Sequence, residues 1–366
     1  MPPPLPAPAD LALLGAGHAH AEVLRQAALG RLPGLRLTLI AREAMTPYSG
    51  MLPGLIRGEY RHAEAHLDCA RLAAAAGARL VLDAATGLDL AARRVTFADH
   101  APVGFDLLSI DVGGEPVQGQ GGVPVKPVGR FLDQLAALEA RHIGPMRLAV
   151  VGGGASGVEL AIALAIRLGQ RAKITLVNAD ATPLAAAPRS ARKAVAAALA
   201  REAIDVRNGV RALAFSNELL RLADGADIPA DEVLWATGVR GPLFLAASGL
   251  ACDAAGCVRV DACLRSLSHP TIFAAGDCAT VDGAARPKAG VWAVRAGAPL
   301  AENLRRAAAG EALKPWRPQA SALAILGLGH GRAVAWRGGL AVSGRWVARW
   351  KSRIDRRWMA VYQALG

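Results

Sequence analysis

Two glycine-rich turns stand where an apolar strand could hand over to a helix. The first is Gly15-Ala-Gly17-His18-Ala-His20-Ala21, preceded by the apolar run Leu11 to Leu14 and followed by Val23, Leu24 and Ala27 at helical spacing. The second is Gly152-Gly-Gly154-Ala-Ser-Gly157-Val-Glu159-Leu-Ala161, preceded by Met146 to Val151. Turns of this kind bind a pyrophosphate. Glycine lets the backbone approach closely, and the helix N-terminus offers free N–H groups and the positive end of its dipole. In the first turn Gly15 permits the tight bend and Gly17 the close approach, while His20 holds the third position. The second turn is a complete G-x-G-x-x-G at a strand–helix junction, carried by Gly152, Gly154 and Gly157.

Each unit should then offer a group to the adenosine ribose at the end of its second strand. Leu35 to Ile40 is followed by Ala41 and Arg42, so that end of the first ligand is expected to be held by Arg42 or by backbone groups. Ile174 to Val177 is followed by Asn178, which bonds a ribose hydroxyl less strongly than a carboxylate would. No arginine follows until Arg189, which argues against dedicated NADP binding.

Three further strand ends carry chemistry: Asp111-Val-Gly113-Gly114, Leu234-Trp-Ala-Thr-Gly238 and Thr271-Ile-Phe-Ala-Ala-Gly276-Asp277. A carboxylate directly after glycine at a strand end, as in Asp277, suits the ribityl hydroxyls of a flavin. Pro287-Lys288-Ala-Gly290-Val291 opens an Ala-rich helix whose N-terminal dipole can face the flavin pyrimidine edge, where negative charge gathers on reduction. These residues point to FAD on the first unit and NAD(H) on the second. Glu159 and Lys288 are the expected tuning groups. His18, at the first helix N-terminus, packs locally or touches the cofactor, and no metal site is expected.

The elements that must position these residues are α/β in character. The chain has 366 residues, 53% hydrophobic, with 40 glycines. That composition suits long helices packed on Val/Leu-rich strands joined by glycine turns. The expected layout is an FAD-binding domain over 1–120 and 241–310, an NAD(P)-binding-like domain over 121–240, and a C-terminal hairpin and helix over 311–366. Met1 to Asp10 alternates Pro and Ala too often for a strand or helix. No uninterrupted apolar run reaches the ~18 residues of a spanning helix, and the start lacks the layout of a signal peptide. A cytoplasmic chain is expected. The five cysteines form no C-x-x-C and read as small buried or loop residues.

The order of these segments resembles the two-dinucleotide flavoprotein superfamily, which includes glutathione-reductase-like enzymes, type II NADH dehydrogenases and sulfide:quinone reductases. The resemblance implies two Rossmann-like domains, the second inserted in the first, with Asp277 matching the residue that holds the FAD ribityl chain. A narrower likeness covers nearly the whole chain. Gly15 to His20, Thr46-Pro-Tyr-Ser-Gly-Met-Leu-Pro53, Val125-Lys-Pro127, Pro287 to Gly290 and Lys351 to Tyr362 resemble the flavoprotein module found fused to selenophosphate synthetase. Thr46 to Pro53 stands where disulfide reductases carry their cysteine pair and holds none, which speaks against dithiol chemistry. Glu159 matches the glutamate that in type II NADH dehydrogenases lies where nicotinamide meets flavin; a purely structural role stays open.

Residues 311–366 hold ten of the Lys/Arg against Glu311 and Asp355, and five of the seven Trp. Trp346, Trp350, Ile354 and Trp358 repeat at i, i+4, with Val347, Val361 and Tyr362 assigned to the same side. That stripe is expected to pack on the protein's own core and leave a basic face for a membrane surface, at the inner face of the membrane, or an anionic protein partner. Nucleic acid is not expected. The favoured activity passes hydride from NADH to FAD and on to a quinone or other small-molecule acceptor. The alternatives are an FAD oxidase or dehydrogenase working without NAD, and a partner-dependent flavoprotein of selenium or sulfur metabolism.

Overall fold

Parallel strands buried on both faces read as continuous apolar runs, and such runs form the two central sheets. The computed structural model describes residues 8–117, 119–142 and 144–365. The chain opens with β1 (Ala9–Leu14), α1 (His18–Ala28), β2 (Leu35–Ala41), β3 (Arg79–Leu82) and β4 (Leu107–Ile110). It then crosses to a second unit, with β5 (Val123–Pro124), β6 (Met146–Val151), α2 (Ala155–Leu168), β7 (Ala172–Asn178), β8 (Asp205–Asn208) and β9 (Glu232–Trp235). These strands make a parallel sheet in the order β5-β9-β6-β7-β8. The chain returns with β10 (Ile272–Ala274), which pairs in parallel with β4 and completes the first sheet as β10-β4-β1-β2-β3. Both crossings are tied together, because Glu115 and Pro116 pair antiparallel with Arg240 and Val239.

Each sheet has its own core. Leu13, Leu39, Leu108 and Phe273 are fully buried in the first, and Val150, Leu164 and Leu176 in the second. Full burial of one such side chain stabilises by roughly 1.5–3 kcal/mol. The first sheet is covered by α1 and by α3 (Gly290–Ala308), which approach closely because a Cβ at Gly297 would crowd Glu22 and the Ala19 carbonyl.

Two expectations are corrected. Ala9 and Asp10 are not an irregular tail; they pair with Leu35 and Arg36 as the first rungs of β1. Pairing with a neighbouring strand overrides the local Pro/Ala pattern there. The expectation for residues 1–7 falls outside the described residues.

The second correction concerns the C-terminal region. Strands β11 (Ala324–Gly327), β12 (Ala333–Arg337) and β13 (Leu340–Gly344) form an antiparallel sheet that runs into α4 (Arg345–Gln363). Val347, Met359 and Tyr362 are buried in α4, whereas Trp346 is 55% exposed and Trp350, Ile354 and Val361 are also exposed. At 3.6 residues per turn an i, i+4 diagonal precesses by about 40° per step. The predicted stripe therefore winds around the helix instead of holding one face. The face that does dock carries Lys351 and Asp355. Among the described residues no helix is long and apolar enough to cross a membrane.

Candidate functional site

The first glycine turn is built against the end of β4. Gly15 has φ +97°, and a Cβ there would overlap the Asp111 carbonyl; one at Gly17 would overlap the Asp111 carboxylate. Asp111 Oδ2 accepts from the N–H of Ala19 at 2.8 Å and His20 at 3.2 Å. The carboxylate thus caps the inner N–H groups of α1. Burial pushes the Asp111 carboxyl up to about 7, against the pull of those two N–H groups.

His20 replaces the third glycine for a steric and polar reason. It is fully buried, with Nδ1 2.6 Å from the Gly15 carbonyl and Nε2 2.8 Å from Ser109 Oγ. Burial lowers it to about 4, so the ring is neutral. A carbonyl can only accept, which makes Nδ1 the donor and leaves Nε2 to accept from Ser109. His20 pins the glycine turn to β4. Arg42 lies exposed just beyond β2, and Gly113 lies just beyond β4 with φ +74°.

Next to this turn several side chains from distant segments converge. The His18 ring lies 5.3 Å from Tyr48 and 5.4 Å from Trp358, and Tyr48 stacks on Trp358 at 4.3 Å. His18 Nε2 and Trp358 Nε1 are both buried without a hydrogen-bond partner. Burial lowers His18 to about 4, although Asp277 pulls the other way. Lys126 Nζ donates to Asp277 Oδ2 at 2.7 Å. Gly276, with φ +72°, lets the backbone turn beside the Asp111 carboxylate. The N-terminus of α3 meets the Thr46–Pro53 loop, where a Cβ at Gly290 would lie 3.3 Å from Ser49 Oγ; Val291 follows in the first turn. Lys288 Nζ donates to the Ala279 carbonyl at 2.6 Å and to Thr280 Oγ1 at 2.9 Å, which fastens the loop ahead of α3.

The second turn repeats the first in outline. Gly152 has φ +129°, and a Cβ at Gly157 would overlap the Gly152 carbonyl, so α2 packs directly on the turn. At Gly154 and Gly238 no protein atom lies within 4 Å of a Cβ position, which leaves the approach to α2 open. Asn178 is buried, and its amide donates to the Asp180 carbonyl at 2.8 Å and to Asn208 Oδ1 at 3.0 Å. Both donors are thus spent inside the protein, and the amide oxygen already accepts from the Asp180 N–H at 3.3 Å.

Glu159 reaches from α2 to the C-terminal sheet, where Oε1 accepts from Gly327 N–H at 2.6 Å. Burial raises its carboxyl, opposed by Lys351, the Gly327 N–H and Arg57. Lys351 Nζ donates to the Gly50 carbonyl at 2.6 Å and to Asp355 Oδ2 at 2.8 Å. Sequence reasoning missed the convergence of Tyr48, Lys126, Lys351 and Trp358. The i, i+4 pair of Lys351 and Asp355 was a signal for part of it. All five cysteines are free thiols, and burial pushes Cys278 far up. Among the described residues no cluster of His, Cys, Asp or Glu could hold a metal.

A family model described as pyridine nucleotide-disulphide oxidoreductase matches residues 9–297, a span that contains both glycine turns and Asp277. The chain belongs to this family. It is 31% identical to the ferredoxin–NAD(+) reductase component of the p-cumate 2,3-dioxygenase system of Pseudomonas putida, over 74% of this chain and 67% of that one. It is 30% identical to a demethylphylloquinone reductase of Synechocystis sp. over 52% of each chain. The chain thus spans about half the length of that relative. The sulfide:quinone oxidoreductase of Aquifex aeolicus superposes with a TM-score of 0.79 at 18% identity, covering 97% of this chain and 92% of that one, and so shares the fold.

The residues present fit the dinucleotides that this family uses. Two helix N-termini behind glycine turns suit two pyrophosphates. The orphaned His18 Nε2 and Trp358 Nε1 beside the first turn are buried polar atoms of the kind a ligand satisfies.

Proposed function

We propose that the chain is an FAD-dependent oxidoreductase that takes hydride from NADH and passes electrons to a quinone or other small acceptor. The supporting observation is one convergence: Glu159 from the second unit, the loop at Gly50 from the first, and Lys351 from α4 meet at one point, while the Asp277–Lys126 pair acts on His18 at the first glycine turn. When bound, FAD supplies the two-electron carrier between nicotinamide and acceptor. The chain's own residues position and shield. Gly15, Gly17 and the outer N–H groups of α1 would hold the first pyrophosphate, and Asp277 would accept hydrogen bonds from the ribityl hydroxyls. Gly152 and Gly154 would hold the second pyrophosphate, with Gly157 keeping α2 on the turn and Gly238 lining the approach. Tyr48 and Trp358 keep water from the first unit, and burial shifts the Glu159 carboxyl toward its protonated form.

Anaerobic mixing of the yellow protein with NADH tests this reading. The flavin absorption band should bleach within minutes, and an unchanged band would sink the NADH reading. The internal bonds of Asn178 favour a second reading, in which FAD is reduced by a substrate directly; bleaching by that substrate and not by NADH would select it.

The exposed Trp346, Trp350, Ile354 and Val361 alternate with Arg353 and Arg357 on the free side of α4. We assign this surface to an anionic membrane face, where each basic residue contributes about 1 kcal/mol and tryptophan anchors at the interface. The protein should sediment with anionic vesicles at low salt, and a Trp346→Ser/Trp350→Ser variant should lose most of that binding. Failure to sediment, with capture by an acidic protein instead, would transfer the surface to a protein partner.

A further inference from the structure

Beside the proposed active site lies a cavity of about 360 Å³ whose wall is strongly cationic. Arg57, Arg332, Arg345, Arg349, Lys351 and Arg356 line it, against the carboxylates of Glu59 and Glu159. Three of these cations are already matched. Arg57 bonds Glu59 at 2.7 Å, Lys351 bonds Asp355, and Arg356 lies 3.5 Å from Glu64. Among the described residues no ion pair reaches Arg332, Arg345 or Arg349, which come from the turn before β12 and the first turns of α4. Arg57 adds a second sign of an unmet demand. Its side chain is only 7% exposed, and Nη1 has no hydrogen-bond partner.

A concave wall with this charge excess focuses potential and concentrates anions. Guanidinium groups in such numbers suit the planar, paired oxygens of carboxylates and phosphates more than a neutral ring. The volume lies in the range of small-molecule sites. The floor includes Gly50, Pro53 and Glu159, the same loop and glutamate assigned above to the redox centre.

We infer that this cavity binds a small multivalent anion bearing carboxylate or phosphate groups, and that it is the substrate side of the enzyme. The location rests on the oxidoreductase reading; the binding does not. The anion is expected to bridge the rim arginines, Arg345 and Arg349, to the floor at Lys351 and Arg57. A neutral quinone would leave those charges without counterparts.

Binding can be read without any turnover, so the test separates the two claims. Calorimetry on the oxidised, flavin-loaded protein would use citrate, inorganic phosphate and pyrophosphate as probes, with anionic vesicles as a parallel arm. One citrate or pyrophosphate per chain should bind, and phosphate more weakly. Arg345→Ala and Arg349→Ala, both at exposed positions, should each weaken binding by about tenfold, the scale of one charged hydrogen bond, with an unchanged melting temperature. Lys351→Gln should weaken it as well. The inference falls if no soluble probe binds at millimolar concentration, or if the arginine variants bind as the parent does. It also falls if only vesicles engage these arginines, which assigns them to a lipid face, or if saturating NAD+ displaces the anion, which assigns them to dinucleotide phosphates. Absent bleaching by NADH with intact citrate binding would overturn the activity and leave the anion site standing.

Discussion

A Gly157→Val variant should keep its flavin and lose reduction by NADH by on the order of 100-fold or more, the cost of misplacing a reacting group by about 1 Å. The reason is local. A Cβ at residue 157 would overlap the Gly152 carbonyl, so even the smallest side chain forces α2 away from the turn that ends β6. That shift moves the N–H groups of α2 away from the second pyrophosphate and carries Glu159 with them. The first turn is built from β1, α1 and β4 and does not depend on this contact. Flavin content per chain and stopped-flow bleaching should therefore separate. Bleaching at the parent rate would mean that the second glycine turn is not where the donor binds, and the NAD-free reading would gain.

Replacing Asp111 by Asn should flatten the pH dependence of stability between about pH 4 and 7. The Asp111 carboxyl stands at about 7 in the folded chain and near 3.9 when unfolded. Between those values the folded state carries a proton that the unfolded state has released. Stability from this group is thus complete below about pH 4, declines as pH rises toward 7, and is lost above that. The full swing is on the order of 4 kcal/mol at 1.36 kcal/mol per unit. Asn keeps an oxygen for the Ala19 N–H and never ionises, so the variant should melt higher than the parent at pH 8. Parallel melting curves for the two proteins across pH 4–8 would show that the buried carboxyl is not the titrating group. FAD affinity should follow the same direction in the parent. A pyrophosphate beside an ionised Asp111 is repelled, and beside the protonated form it is not, so binding should tighten as pH falls through neutrality.

Much of this arrangement was legible in the sequence, and for a consistent reason. Gly15, Gly17, Gly152 and Gly157 announce themselves because a tight turn and a close helix forbid a Cβ, a demand that is local in the chain. The strand ends at Asp111, Gly238 and Asp277 are similarly local. The placement of β10 beside β4, which makes one sheet out of two distant segments, follows from the order of the segments through resemblance and not from periodicity. What escaped was tertiary. Lys288 is fastened to the Ala279 carbonyl and Thr280 Oγ1, contacts that its place in the sequence does not announce. Asn178 looks available, yet its amide is bonded into its own loop. The buried side of α4 could not be read from Trp spacing, because Lys351 and Asp355 dock by satisfying each other and the loop at Gly50. That charged pair stands between Val347 and the Met359–Tyr362 end of the buried side, and so interrupts its apolar pattern.

The ties made by α4 have a consequence for the order of assembly. Lys351 reaches a carbonyl 301 residues upstream, Tyr362 bonds Glu22 across 340 residues, and Gln363 reaches Ala63 across 300. Both sheets can pair while the chain is still being made, but α4 cannot dock on the first unit until residues near 362 have left the ribosome. At ~5–20 residues per second that interval after residue 60 lasts on the order of 15–60 s. The ring contacts of Trp358 with His18 and Tyr48 form only at its end.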